Sequence, residues 1–342
     1  MLAELPRTLD RIPATPLRYL SAADVLASMP PLPERLDLAE RTMTALVRDA
    51  QLPPKIAVHP RPDSSFVHAM PAHLRGASPN GANDLVGMKW VAGFGTNNAL
   101  GIPAINAVVI LNDARTGMPV AVLDGGPITA QRTAAVSGVA IRRFAPRVEG
   151  RAPRATLIGA GVQGHSHVPV LGHLLPGVQL AMFDRDPDRS EALAQAARAT
   201  EGIASATPAG TAREAVEGAD VVVTAASFGP DPQVMTPDWL MPDALVVPVD
   251  YATYCSAAVA AGAALFLVDH REQFLANRDA GLFDGYPDPH AMLGEAILDG
   301  TPRPQAGRVV VTHLGVGLAD VVFGDAIMRR AAEAGLGVEL PR

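Results

Sequence analysis

The chain has 342 residues, of which 48% are hydrophobic and 18% charged, and its formal net charge is −7. This composition supports a large buried core and excludes a disordered chain. No block of consecutive Lys or Arg provides the basic face that nucleic-acid binding requires, and no apolar run is long enough to span a bilayer. We therefore expect a soluble globular protein with no nucleic-acid and no membrane partner.

Two further features bear on the compartment. Pro, Asp and Arg interrupt the apolar residues of the first 20 positions, so this segment is not expected to act as a signal peptide. The one cysteine, Cys255, excludes an intrachain disulfide and a thiolate zinc site, and no activating base is identifiable for it. We expect Cys255 to behave as a small buried hydrophobic residue and the protein to be cytoplasmic.

The N-terminal part of the chain begins with two helix patterns. Ser21, with Asp24 three residues later, predicts the N-cap of a short helix. A second helix is predicted after the segment PPLPE, because apolar residues recur there at helical spacing. These residues are Leu36, Ala39, Met43, Leu46 and Val47.

The pattern then changes from helix to strand. Between residues 55 and 123, the segments VVIL (108–111) and VAVL (120–123) flank a polar turn and predict a β-hairpin. Thr129 is expected to cap a long helix that runs from Ala130 to about Phe144.

Beyond a polar linker, short apolar strands alternate with helical segments. Such alternation predicts a parallel sheet with helices on both faces, and hence an α/β fold. A helix from about Leu318 to Ala334 closes the chain. The predicted strands are ATLI (155–158), LAMFD (180–184), VVVTAA (221–226), ALVVPVD (244–250), LFLVD (265–269) and VVVTHLG (309–315).

The strand ATLI leads directly into a glycine-rich loop with the pattern GxGxxG. In this motif the first glycine permits a tight turn, the second lets the backbone approach a pyrophosphate, and the third lets the helix lie close to the strand. The N-terminus of that helix attracts phosphates. The predicted cofactor contacts are Gly159, Gly161, Val162, Gln163 and Gly164, together with Ala225 after a neighbouring strand.

The next strand ends in an acidic residue, Asp184, which lies 20 residues beyond Gly164. A carboxylate in this position binds the ribose hydroxyls of a dinucleotide, which favours NAD because it repels a 2′-phosphate. Arg185 beside it could instead pair with that phosphate, so NADP is not excluded. A glycine-rich turn next to a surface aspartate is the alternative interpretation. Pro169 is expected to disturb the helix after its first turns.

The segment from Met88 to Ser137, MKWVAGFGTNNALGIPAINAVVILNDARTGMPVAVLDGGPITAQRTAAVS, resembles the ornithine cyclodeaminase/mu-crystallin family. Further matches are Met70-Pro71, the Gly159 loop, and Gly315 and Asp320 in HLGVGLAD. The resemblance covers nearly the whole chain.

That resemblance implies a homodimer whose chains each combine a Rossmann domain with a substrate-binding and dimerisation domain. We accordingly expect a Rossmann-type doubly wound parallel sheet over residues 131–317. A second α+β domain would be built from both chain ends, residues 1–130 and 318–342.

Carried over residue by residue, the resemblance places substrate-side cations at Lys55, Lys89 and Arg132 and the catalytic acid at Asp250. The chemistry of these residues agrees, because an arginine holds a carboxylate with two hydrogen bonds and a lysine beside an amine can relay a proton. Asp250 ends a strand at the sheet edge where α/β proteins bind ligands. Alternatively, Lys55 is merely solvated and Asp250 merely caps the next helix.

The chain departs from the family pattern at three places. His68, in HAMP, stands where family cyclodeaminases tend to carry a carboxylate, and we assign it to the substrate's far end. Asp250 follows Pro-Val and precedes YATYCSAAV, which differs from the usual surroundings of the family's acid. Both departures put diamine specificity in doubt more than hydride chemistry. His313 replaces an expected small hydroxyl residue and has no explanation from the sequence.

Three functions follow as hypotheses. The first is an NAD(P)-dependent amino-acid dehydrogenase or imine reductase acting on a small amino or imino acid. The second is ornithine cyclodeamination, in which hydride leaves and returns without net turnover of cofactor. The third is a non-catalytic protein that binds NAD(P)H and a small ligand. No metal is predicted, since His165, His167 and His173 are irregularly spaced and lack clustered partners.

Overall fold

The computed structural model describes residues 16–61, 65–78, 81, 83–227 and 231–341. The prediction that no signal peptide is present therefore falls mostly outside the described residues. No helix within them is long and apolar enough to cross a membrane. The α-helices are α1 (Ala22–Ala27), α2 (Leu32–Arg48), α3 (Gly125–Phe144), α4 (Val162–Leu174), α5 (Pro187–Arg198), α6 (Ala212–Val216), α7 (Ala257–Ala261), α8 (Arg271–Asp279), α9 (Leu293–Leu298) and α10 (Gly317–Glu333).

The strands of the N-terminal part and the last strand form one sheet, and the remaining strands form another. Short 3₁₀ helices occupy Gly95–Leu100 and Pro237–Trp239. The strands are β1 (Leu17–Leu20), β2 (Ala50–Gln51), β3 (Ile56–Val58), β4 (Ser65–Leu74), β5 (Leu85–Phe94), β6 (Ile105–Asn112), β7 (Pro119–Asp124), β8 (Arg154–Ile158), β9 (Val178–Phe183), β10 (Ile203–Pro208), β11 (Val221–Thr224), β12 (Leu245–Pro248), β13 (Leu265–Val268), β14 (Ala291–Met292), β15 (Val309–Thr312) and β16 (Val338–Leu340).

The second sheet is all-parallel, with strand order β10-β9-β8-β11-β12-β15-β13-β14. Its first five strands have the 3-2-1-4-5 order of a Rossmann sheet. Strand β11 lies between β8 and β12, and its residues Val221, Val222 and Val223 are fully buried. Burial on both faces explains why these strands are continuous apolar runs in the sequence. The predicted α/β class is confirmed.

The other sheet is mixed and takes strands from both ends of the chain, in the order β16-β1-β7-β6-β5-β4-β2. Strand β1 pairs with β16 on one side and with β7 on the other. The predicted hairpin is present as the antiparallel pair β6 and β7. In β5 the inward residues Lys89 and Val91 are buried, whereas Trp90 between them is exposed. One face of this sheet is therefore covered, and α10 packs on it.

Helix α3 begins earlier than predicted. Asp124 is its N-cap and accepts a hydrogen bond from the N–H of Gly126 at 2.9 Å, while Thr129 lies inside the helix and donates to the Gly125 carbonyl. The prediction that Thr129 caps the helix is wrong, because Gly-Gly-Pro is tolerated in a first turn whose N–H groups need no helical partner. The domain boundary predicted at residue 130 falls within α3 and stays a prediction.

Helix α4 also differs from its prediction, since it continues through Pro169 to Leu174. Proline removes the hydrogen bond to the carbonyl four residues earlier, which belongs to His165. Pro169 and His165 are both exposed, so solvent can replace the lost partner.

Candidate active site

The glycine-rich loop has the geometry that the motif predicts for a dinucleotide. Gly159 has φ +100°, and a Cβ on it would overlap the carbonyl of Ala225. A Cβ on Gly164 would overlap the carbonyl of Gly159, so only glycine lets α4 lie this close to the loop. A Cβ on Gly161 would meet nothing within 4 Å, which leaves the backbone open to a ligand on that side. The loop therefore fits a pyrophosphate at the N-terminus of α4.

Asp184 lies directly against this loop. Its Oδ2 accepts a hydrogen bond from the N–H of Ala160 at 2.7 Å, and its Oδ1 accepts one from the N–H of Asp186 at 3.0 Å. These bonds fix the carboxylate at the edge of the loop, where its remaining lone pairs can accept from ribose hydroxyls. Arg185 is exposed beside it. Val162 and Gln163 begin helix α4.

A second cluster of charged residues is buried between α3, α10 and the mixed sheet. Asp320 of α10 is completely buried and interacts with two cations. Lys89 Nζ lies 3.0 Å from Asp320 Oδ1 and 2.9 Å from Oδ2, and Arg132 Nε donates to Oδ1 at 3.2 Å. Lys89 also donates to the hydroxyl of Thr129 at 3.4 Å. One carboxylate thus faces two cationic side chains, so the cluster carries a net positive charge whenever Lys89 is protonated.

This environment changes the protonation of Lys89. Burial, assisted by the positive charge of Arg132, lowers the pKa of Lys89 from 10.5 to about 7, although Asp320 opposes the shift. A lysine with a pKa near neutrality can both accept and donate a proton at physiological pH. The structure therefore places a group capable of proton transfer beside the arginine.

The outer edge of the Arg132 guanidinium is left without a hydrogen-bond acceptor by the part of the chain that the structure describes. Asp320 accepts from Nε, but none of the described residues accepts a hydrogen bond from Nη1 or Nη2. These two nitrogens lie against Gly315, where a Cβ would collide with them. Two parallel N–H donors of this kind match the two oxygens of a carboxylate.

The third predicted cation, Lys55, reaches the same region from the loop before β3. Its Nζ donates to the carbonyl of Leu314 at 2.6 Å and to the hydroxyl of Tyr251 at 3.2 Å. Leu314 precedes Gly315, the residue that packs on Arg132, so Lys55 is part of one continuous set of contacts. Its partner Tyr251 has φ +59°, a backbone conformation that is strained for a tyrosine.

Asp250 lies at the carboxyl edge of the parallel sheet, just after β12. Its Oδ1 accepts from the hydroxyl of Thr224 at 2.6 Å and its Oδ2 from the N–H of Ala226 at 3.1 Å. Burial raises the pKa of Asp250 to about 7, against the effect of these hydrogen bonds. The next helix, α7, has Ser256 as its N-cap, so the alternative that Asp250 caps a helix is wrong.

Asp250 is also the link between the two clusters. Asp250 accepts a hydrogen bond from the N–H of Ala226. The residue before it, Ala225, has its carbonyl packed against Gly159 of the glycine-rich loop. On its other side Asp250 precedes Tyr251, which accepts from Lys55. The structure thus brings the predicted cofactor loop, acid and cations together in one region.

His68 extends this region along strand β4, next to Lys89 on β5. It pairs with Val91 in register and so shares the inward face with Lys89, and its ring stacks on Phe66 with centroids 4.4 Å apart. Burial, with the nearby positive charge of Lys55, lowers the pKa of His68 to about 4. The side chain is therefore neutral at physiological pH.

Some residues of this region were not assigned from the sequence. Asp320 was recognised only as a family landmark, although an aspartate within the apolar stretch GLADVVF suggests a buried partner. Asp269 holds the loop that contacts Arg132, because its Oδ2 accepts from the N–H groups of Leu314 at 2.9 Å and Gly315 at 2.8 Å. Within the described part of the chain, no group of three His, Cys, Asp or Glu side chains could hold a metal.

Comparison with known proteins identifies the family of this chain. The model of the ornithine cyclodeaminase/mu-crystallin family matches residues 27–254. The nodulation efficiency protein NfeD of Rhizobium meliloti is 34% identical over 328 residues, which cover 94% of this chain and 98% of that protein.

Two solved structures share the fold over nearly their whole length. The Delta(1)-pyrroline-2-carboxylate reductase of Thermococcus litoralis, in complex with NADH and L-proline, is 22% identical with a TM-score of 0.81, and the match covers 94% of this chain and 100% of that one. An archaeal alanine dehydrogenase dimer with bound NAD is 23% identical with a TM-score of 0.80, covering 95% and 99%. The protein is thus of the class that combines a Rossmann fold with a second, mixed-sheet domain. Within that class it belongs to the ornithine cyclodeaminase/mu-crystallin family.

Proposed function

We propose that this protein transfers hydride between NAD(H) and the α-carbon of a small amino or imino acid. The observation that carries the proposal is the buried Arg132 guanidinium, which Asp320 holds by Nε while Nη1 and Nη2 have no acceptor among the described residues. An α-carboxylate would satisfy both nitrogens at once. It would also place the reacting carbon and its nitrogen near Lys89, which shares the Asp320 carboxylate.

The cofactor would be held by the loop from Gly159 to Gly164 and by Asp184. NAD(H), when bound, supplies or accepts the hydride. NAD is favoured because the Asp184 carboxylate, fixed against the loop by the N–H of Ala160, would repel a 2′-phosphate. NADP is the alternative, with the exposed Arg185 as its phosphate partner.

Protons would be handled by Lys89 and Asp250. Both have a pKa of about 7, one lowered and one raised by burial, so each can change protonation during a cycle near neutral pH. Lys89 would donate a proton to the substrate nitrogen, or accept one, directly or through an oriented water. The Asp250 carboxylate would stabilise positive charge on an iminium carbon and nitrogen.

The neutral His68 favours a dehydrogenase or imine reductase over ornithine cyclodeaminase. A second substrate ammonium is best balanced by a carboxylate, and here it would meet an uncharged imidazole close to the positive charge of Lys55. Non-catalytic ligand binding is disfavoured for a different reason. Mere binding does not require both Lys89 and Asp250 to be buried with pKa values near 7.

The test is a substrate screen followed by absorbance at the nicotinamide band. The protein with NADH is given Delta(1)-pyrroline-2-carboxylate, or 2-keto acids with ammonia or methylamine; ornithine and lysine are tested with NAD. We expect continuous NADH oxidation with an imino acid. Proline formation from ornithine without net change in NADH would instead establish the cyclodeaminase, and saturable NADH binding without turnover of any substrate would establish a binding protein.

We also propose that the protein forms a homodimer through the outer face of its mixed sheet. In register across this face lies an unbroken apolar row: Val338, Tyr19, Val122, Ile110, Met88 and Pro71. Trp90 projects on the same side and is 45% exposed. A sheet face of this composition requires cover, and a second copy of the chain supplies a matching one. The structurally similar alanine dehydrogenase is a dimer.

Light scattering coupled to size-exclusion chromatography tests the dimer. The wild type should elute with twice the mass of one chain, and Trp90→Glu should shift it toward the mass of a single chain. Arg115→Glu, an exposed position in the hairpin turn, is the matched control and should leave the mass unchanged. A wild-type protein of single-chain mass at micromolar concentration would refute the proposal.

A further inference from the structure

A buried chain of three polar side chains connects the cofactor loop with the loop that contacts Arg132. His167 of α4, Ser137 of α3 and His313 after β15 are each no more than 2% exposed. The Ser137 hydroxyl lies 2.8 Å from Nε2 of His167 and 2.8 Å from Nε2 of His313. Nδ1 of His167 lies 2.6 Å from the carbonyl oxygen of Gln163.

The hydrogen-bond acceptors fix the direction of this chain. A carbonyl can only accept, so His167 carries its proton on Nδ1 and donates to Gln163. Its Nε2 then accepts from the Ser137 hydroxyl, and that hydroxyl accepts from Nε2–H of His313. Burial lowers the pKa of both imidazoles, to about 4 for His167 and about 3 for His313, so both are neutral. Each ring therefore has a single tautomer.

The two ends of this hydrogen-bonded series lie at the two halves of the proposed site, the cofactor loop and the carboxylate-binding residues. Gln163 is in the first turn of α4, within the glycine-rich loop expected to bind the cofactor. His313 directly precedes Leu314 and Gly315; the first accepts from Lys55 and the second packs on the Arg132 guanidinium. Ser137, in the middle, is on the same helix as Arg132. His313 is also the residue for which the sequence offered no explanation.

We propose that His167, Ser137 and His313 are positioning residues that couple binding at the cofactor loop to the placement of the carboxylate-binding Arg132 and Lys55. This inference rests on the proposed dinucleotide site but not on the identity of the substrate. When Gln163 is fixed by a bound dinucleotide, the oriented chain restrains His313 and the two residues after it. The bonds that join His167, Ser137 and His313 run in one direction, and buried hydrogen bonds arranged in this way strengthen one another. Substrate binding would accordingly be favoured once the cofactor is bound.

Hydrogen–deuterium exchange with and without NADH tests the coupling. The reporters are the amides of Leu314 and Gly315, which donate to Asp269. In the wild type, NADH should slow exchange at residues 159–166 and also at 313–316, the latter roughly fivefold, the effect expected from one strengthened buried hydrogen bond. Ser137→Ala should keep the protection at 159–166 and lose it at 313–316, and Ser137→Thr, which keeps a hydroxyl, should restore it.

Thr42→Val is the matched control, because it removes another buried hydroxyl, one whose hydrogen bond among the described residues stays within its own helix, to the carbonyl of Leu38. It should lower thermal stability about as much as Ser137→Ala but leave the protection at both segments intact. Two results would overturn the coupling but not the dinucleotide site. In one, NADH still protects residues 313–316 in Ser137→Ala. In the other, NADH protects residues 159–166 of the wild type but not residues 313–316. No protection at 159–166 with either NADH or NADPH would overturn the dinucleotide site, and the coupling with it.

Discussion

Asp320 holds Lys89 at 2.9 Å beneath the mixed sheet, and both side chains are almost completely removed from solvent. Helix α10 contributes the acid and strand β5 the base, so the proposed proton-transfer group depends on a contact between distant parts of the chain. The same carboxylate orients Arg132. We expect Asp320 to govern both the folding stability of the protein and the charge of the substrate site.

Asp320→Asn should destabilise the protein, by about 3–5 kcal/mol, since the amide has no charge to balance the buried Arg132 and the proton on Lys89. Urea unfolding followed by circular dichroism measures this loss. Asp325→Asn, on the same helix but paired with the exposed Arg329, is the control and should cost less than about 1 kcal/mol. Equal stability of the two variants would show that Lys89 and Arg132 do not require Asp320.

Arg132→Lys should lower kcat/KM by about 10- to 100-fold, the effect of losing one charge-assisted hydrogen bond to a carboxylate. A lysine keeps the charge but not the planar pair of donors. Steady-state kinetics on the substrate found in the screen provides the measurement. Arg142→Lys, whose arginine pairs with Glu40 on the surface, should behave as wild type. An Arg132→Lys variant with wild-type efficiency would mean that the arginine is structural.

Asp250→Asn should lower turnover by about 10²-fold or more, the contribution of a general acid–base group. The amide can still accept from Thr224 but cannot take up a proton, so the pH–rate profile should also lose a limb near pH 7, where Asp250 titrates. NADH affinity, measured by fluorescence titration, should change little. Normal turnover with intact NADH binding would leave Lys89 as the remaining proton-transfer group.

The same residue makes stability depend on pH. Burial raises the pKa of Asp250 from 3.8 to about 7, so between these values the folded state binds more protons than the unfolded state. The stability that Asp250 contributes is therefore fully present below pH 3.8 and is lost as pH rises toward 7. The measurement is the free energy of urea unfolding of the wild type and of Asp250→Asn between pH 5 and pH 8. Their difference gives the contribution of Asp250, and a difference that does not change with pH would contradict the prediction.

Asp184→Ala should weaken NADH binding by about 10-fold or more, because it removes hydrogen bonds to the ribose. It should also reduce the preference of the protein for NADH over NADPH, because the repulsion of a 2′-phosphate is lost. Equilibrium titration with both nucleotides gives the two affinities. Asp186→Ala, which removes the N-cap of α5 and a surface ion pair with Arg189 but none of the predicted cofactor contacts, is the control. A wild type that already prefers NADPH would transfer the specificity role to Arg185.

Local patterns in the sequence were sufficient to predict the parallel sheet, the glycine-rich loop and the location of Asp250. Each depends on residues close together in the chain: apolar runs that end in a turn, or glycines at fixed spacing before a helix. The start of α3 was missed for a local reason, since Gly-Gly-Pro resembles a turn until Asp124 is seen to cap it.

Other features depend on packing between segments far apart and have no local pattern. Lys89 and Asp320 are 231 residues apart, and Ser137 and His313 are 176 apart. Family resemblance supplied Lys89, Arg132 and Lys55 as candidates, but the shared acid, the pKa shifts and the buried imidazole chain follow only from the three-dimensional arrangement. Tyr251 was missed because its importance lies in its contact with Lys55.

The mixed sheet takes its edge strand β16 and its covering helix α10 from the end of the chain. During synthesis on the ribosome, all strands of the parallel sheet emerge before either of these elements. The parallel sheet can therefore form before the mixed sheet is complete, while Lys89 still lacks its partner Asp320. Only when α10 emerges does Asp320 meet Lys89 and Arg132, so the substrate site can be completed only after all strands of the parallel sheet have been made.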